Sequence, residues 1–133
     1  MQMTGVFHHP FPPLLAQLMG NSTLLAEPDP RLLDERKRLL SDTCCRVHAV
    51  RTACEVFEIQ PEIDPHIVLL SDALGEPQLT AVAEYTRHRW PHARILIIGE
   101  PTPALEDHLY DETVSGASSP AEFLEAVERC LLV

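Results

Sequence analysis

Uninterrupted apolar runs recur along this chain, separated by segments with a helical stripe. Ile67–Leu70 (IVLL) and the RILIIG stretch from Arg94 leave almost no position to face water, which suits central parallel strands buried on both faces. STLLA from Ser22 is a shorter β-type run that stops at the turn-forming sequence Glu27-Pro28-Asp29-Pro30. In CRVHAV, Cys45, Val47 and Ala49 alternate with Arg46 and His48, and ETVS from Glu112 reads as a weak strand. Between these runs the period changes. RLLDERKRLLSD places Leu32, Leu33, Leu39 and Leu40 on one helical face, and LTAVAEYTRHRW does the same with Leu79, Val82, Ala83 and Thr86. Thr52 to Ile59 predicts a short helix ended by Pro61 and Pro65, and PALEDHLYD predicts another. The last helix has the clearest start: Ser119 as cap, Pro120 at the first helical position and Glu122 to complete a capping box, with Phe123, Leu124, Val127 and Leu131 as its buried stripe.

The order is strand then helix, five times over. Units of this size require parallel strands with crossover helices on both faces, a doubly wound α/β domain. Function in such sheets gathers at the carboxyl ends of the strands. Those ends are Glu27, His48–Val50, Ser71, Gly99 and Ser115.

Residues 1–21 stand apart from the domain over 22–133: prolines at 10, 12 and 13 break them, and Phe7, Phe11, Leu14, Leu15 and Leu18 are apolar. Neither a signal peptide nor a membrane-spanning run is expected there or elsewhere. Twenty acidic residues against ten basic ones give a net charge of −10, which repels phosphate backbones and anionic lipid and so argues against nucleic-acid or membrane binding. The four cysteines, at 44, 45, 54 and 130, lack CxxC spacing. They read as structural thiols of a reducing cytosol, not as a disulfide framework or a zinc site around Cys44, His48 and Cys54.

Four stretches in this order resemble the receiver domain of response regulators: LLAEPDPRLLDERKRLL, DPHIVLLSDALGE, RHRWPHARILIIGE and SSPAEFLEAVERCL. The resemblance covers residues 22–133. It implies a flavodoxin-like sheet of five parallel strands in the order 2-1-3-4-5. It also implies a set of functional positions. An aspartate ending the third strand accepts a phosphoryl group, and acids after the first strand hold magnesium. A hydroxyl residue after the fourth strand and a lysine after the fifth contact the phosphoryl oxygens. Such chemistry rests on positioning and charge neutralisation.

In this sequence those positions hold other residues. Ser71 stands in the place of the aspartate, with Asp72 one step later and on the other side of the strand. Glu27 and Asp29 remain, but Pro28 replaces a metal-binding acid. Gly99 takes the hydroxyl position and Ser115 or Gly116 the lysine position; Lys37 is the chain's one lysine. Ser71 has no evident base unless His48 serves, so it reads as a capping hydroxyl. The segment before the fifth strand is short, which predicts a reduced fourth helix. The expectation is a degenerate pseudo-receiver: a non-enzymatic cytoplasmic signalling protein without cofactor or metal. It would act through a protein partner or a second copy of itself, using the face of Glu106–Tyr110 and 121–131. Two alternatives stand beside it. One is a working phosphoacceptor in which a bulge re-aims Asp72 toward Glu27 and Asp29. The other is an unrelated flavodoxin-like enzyme or nucleotide binder, although no glycine-rich loop follows the first strand.

Overall fold

Every side chain from Ile67 to Leu70 and from Ile95 to Leu96 and Ile97 is fully buried, because these two strands lie side by side at the centre of a sheet covered on both faces. A computed structural model describes residues 21–43, 46–100 and 105–132. Within them the elements are β1 (Ser22–Ala26), α1 (Pro30–Ser41), β2 (Arg46–Val50), α2 (Ala53–Phe57) and β3 (Ile67–Ser71). They continue with α3 (Glu76–Arg89), β4 (Arg94–Ile98), β5 (Glu112–Val114) and α4 (Pro120–Leu132). All strand pairings are parallel and the order is β2-β1-β3-β4-β5. The five-stranded, doubly wound sheet expected from the sequence is therefore present, in the order 2-1-3-4-5.

Strand alternation sorts the core into two layers. Leu24, Ala26, Val68, Leu70, Ile95 and Ile97 meet α2 and α3 through Val56, Leu79, Val82 and Ala83. Leu25, Ile67, Leu69, Leu96 and Ile98 meet α1 and α4 through Leu40, Phe123, Ala126 and Val127. Each such Leu or Ile stabilises the fold by roughly 2 kcal/mol through removal from water. The capping box of α4 forms as expected: Ser119 N–H donates to Glu122 (2.8 Å) and Glu122 N–H to Ser119 Oγ (3.2 Å).

Three local expectations need correction. The buried stripe of α4 is Phe123, Ala126, Val127 and Cys130, with Glu128 buried too, whereas Leu124 and Leu131 are half-buried. The α1 face contains Arg36 as a buried residue, while Leu32, Leu33 and Leu39 are only partly covered. The segment PALEDHLYD contributes a single 3-10 turn, Asp107–Leu109, among its described residues. An α-helix cannot continue there because Asp111 is drawn onto β4: its N–H donates to Ile95 O (2.8 Å) and its Oδ2 accepts from Ile95 N–H (2.8 Å). Arg87 fastens the same segment to α3, pairing with Asp111 (3.2 Å) and donating to His108 O (3.1 Å). The expected extension over 1–21, Asn21 apart, lies outside the described residues, as do Cys44 and Cys45. Among the described residues no helix is long and apolar enough to cross a membrane.

Candidate functional site

The carboxyl ends of the strands bring Glu27, Ser71, Asp72, Gly99, Ser115 and Gly116 to one edge of the sheet, and each is already engaged. After β1 the chain is held to β2 by Glu27 N–H donating to Val50 O (3.0 Å). This turns the Glu27 side chain inward, where it is 1% exposed and ion-paired with Arg36 of α1. Its second oxygen accepts from Asp29 N–H (3.0 Å). Asp29 in turn caps α1: its Oδ1 accepts from Arg31 N–H (2.9 Å) and Leu32 N–H (3.4 Å), satisfying donors that a helix start leaves free. Between them Pro28 offers only its carbonyl, which accepts from Arg51 Nε (3.1 Å). Arg51 lies just before the capping box of α2, where its N–H holds the Glu55 carboxyl below the ordinary value.

Ser71 ends β3 and is 3% exposed. Its Oγ accepts from Ala73 N–H (3.1 Å), so it caps the 3-10 turn Asp72–Leu74. The β3–β4 register runs without interruption from Ile67↔Arg94 to Ser71↔Ile98. No bulge re-aims the strand end. Asp72 leaves it exposed and leans toward β4, where Oδ2 accepts from Glu100 N–H (3.1 Å). Gly99 has φ +115°, and a Cβ there would lie 2.2 Å from the Asp72 carboxylate carbon. The Asp72 contacts thus lie toward β4, whereas β1, which leads into Glu27 and Asp29, flanks β3 on its other side.

At the end of β5, Ser115 Oγ accepts from Ala117 N–H (3.1 Å), and Gly116 O accepts from Arg36 Nη2 (3.2 Å). The cation beside this loop thus comes from α1. The sequence reading overlooked Arg36, although it sits midway along the stripe of Leu32, Leu33, Leu39 and Leu40, where a charge on a buried face is a signal in itself. His48 does not reach Ser71. It lies in mid-strand opposite Leu24 and lines a 460 Å³ cavity at the other end of the sheet with Arg46, Glu62, Asp64 and His66. A hydroxyl without a base is a weak nucleophile. As arranged, these groups cap turns and join loops.

No protein-family model matches the chain, and no curated protein does. Solved structures do. The signal receiver domain of an HD domain-containing protein from Pseudomonas fluorescens Pf-5 superposes with a TM-score of 0.74 at 17% identity, covering 84% of this chain and 94% of that one. A CheY-like response regulator receiver domain protein from Methanospirillum hungatei JF-1 gives 0.73 at 17% identity, over 84% and 93%. A LuxR-family two-component response regulator from Aurantimonas sp. SI85-9A1 gives 0.70 at 24% identity, over 84% and 85%. The chain has the fold of a response-regulator receiver domain.

Proposed function

We propose that this chain is a pseudo-receiver, a receiver-like signalling protein that acts through protein–protein contact without phosphorylation of an aspartate. The observation that carries the reading is the placement of Asp72: its carboxylate packs over Gly99 and accepts from Glu100 N–H (3.1 Å), both at the end of β4. A phosphoryl group needs an in-line carboxylate with positive charge beside its oxygens. Near Asp72 stands another exposed acid, Glu100, while Arg36 is committed to Glu27 and Gly116.

The same features disfavour the alternatives. A phosphoacceptor role for Asp72 called for a bulge, and β3 stays in register with β4 to its last residue. A nucleotide binder needs free backbone N–H groups after β1, whereas those of Arg31 and Leu32 are used by Asp29. Without a phosphoryl switch, the output is a binding surface. The exposed side of α4 with the segment Glu106–Tyr110 is the face we assign to a partner or a second copy of the chain. Beryllofluoride, a phosphoryl mimic, tests the reading. With magnesium present, amide spectra should be unchanged at Ser71, Asp72, Gly99 and Glu100; shifts centred on Asp72 would refute it.

A further inference from the structure

Glu27 lies where a receiver would place an acid for magnesium, so its surroundings test whether these residues fit such an ion. A divalent cation of this kind takes oxygen ligands turned toward it in near-octahedral geometry. Glu27 has one oxygen on Arg36 and the other on Asp29 N–H (3.0 Å). The Asp29 carboxylate caps α1 through Oδ1 (2.9 Å to Arg31 N), Pro28 has no side-chain donor, and Ser71 points its hydroxyl at Ala73 N–H (3.1 Å). Asp72 faces β4. Among the described residues, the donor set for magnesium is not assembled.

A positive charge, one unit against magnesium's two, nevertheless stands beside Glu27. A carboxylate as buried as Glu27 needs a counter-charge, and the Arg36 guanidinium, 9% exposed, provides it from within the chain. Its second arm reaches Gly116 O (3.2 Å) in the loop after β5. One side chain therefore neutralises the end of β1 and ties down the loop that follows β5. Resting on the pseudo-receiver reading, we infer that Arg36 is a permanent internal counter-ion that replaces a divalent metal at Glu27 and holds the crevice in a single, metal-independent arrangement.

The test uses the full chain. Manganese, a paramagnetic divalent ion, is titrated to millimolar concentration while the amide signals of Glu27, Asp29 and Ser71 are followed. No saturable broadening is expected, and saturable broadening centred on Glu27 would overturn the inference. Thermal unfolding supplies the second readout. Arg36→Met strands a buried carboxylate and should lower Tm by more than about 10 °C, with part of the loss recovered by millimolar magnesium. Glu27→Gln/Arg36→Met should recover stability without magnesium and ignore the ion. Because Arg36→Met could fail to fold, the double variant carries the decision: a Tm close to wild type supports the internal counter-ion, and a Tm that rises only with magnesium contradicts it. Hydrogen exchange at Ser118, whose N–H donates to Ser115 O (3.1 Å), should accelerate in that double variant, since the tie to Gly116 is gone; unchanged exchange would refute the tie. Metal binding at Glu27 without phosphorylation would remove this inference and leave the pseudo-receiver reading, whereas a phosphoryl adduct without metal binding would do the reverse.

Discussion

The carboxylate of Asp72 occupies the volume that a side chain at Gly99 would need: an ideal Cβ on Gly99 falls 2.2 Å from its carboxylate carbon. The two residues belong to different strand ends, and Gly99 also holds φ +115°, a conformation side chains disfavour. Gly99→Ala should therefore lower stability by about 2 kcal/mol or more, combining backbone strain with the collision. Adding Asp72→Ala should return the collision part and leave the backbone part. Urea unfolding of the single and double variants measures both, and a Gly99→Ala protein as stable as wild type would contradict the geometry.

This pairing marks where the sequence stops being readable. Ile67–Leu70 and Ile95–Ile98 were legible as central strands because no polar residue interrupts them, and burial on two faces permits none. The cap at Ser119 was legible because its partners are three residues apart. The direction of Asp72 was not, since it depends on Gly99 and Glu100, which only the fold brings near. The role of Arg36 depends likewise on Gly116, 80 residues away. The helix expected over PALEDHLYD failed for the same reason: local spacing favours helix, but Asp111 is captured by Ile95 (2.8 Å).

Glu128 gives a pH-dependent prediction. It is 3% exposed on α4, and its Oε2 has no hydrogen-bond partner among the described residues. Burial first, and then the charge of Glu125, raise its carboxyl above the ordinary value of 4.5. Below pH 4.5 the group is protonated both folded and unfolded, so it carries no penalty. As pH climbs from there through the raised folded value, the unfolded chain ionises more readily and stability is lost. Glu128→Gln should thus raise Tm by a few degrees at neutral pH and leave it unchanged in acid. An equal gain at both pH values would show that charge is not the cause.

Self-association is open to a direct measurement. Leu132 at the end of α4 is 56% exposed, and the proline-broken segment before β1 carries Phe7, Phe11, Leu14, Leu15 and Leu18. Light scattering at micromolar concentration should find a dimer of the full chain. If residues 22–133 also dimerise, the α4 face is the contact; if they do not, the preceding segment is. Monomers in both would contradict self-association.

The central claim, that this receiver fold works without phosphoryl chemistry, is tested most directly by intact mass after incubation with acetyl phosphate and magnesium. The account predicts an unmodified chain, because Ser71 is a cap, Asp72 is held against β4, and Arg36 is spent on Glu27 and Gly116. A gain of one phosphoryl group that disappears in Asp72→Asn would contradict it.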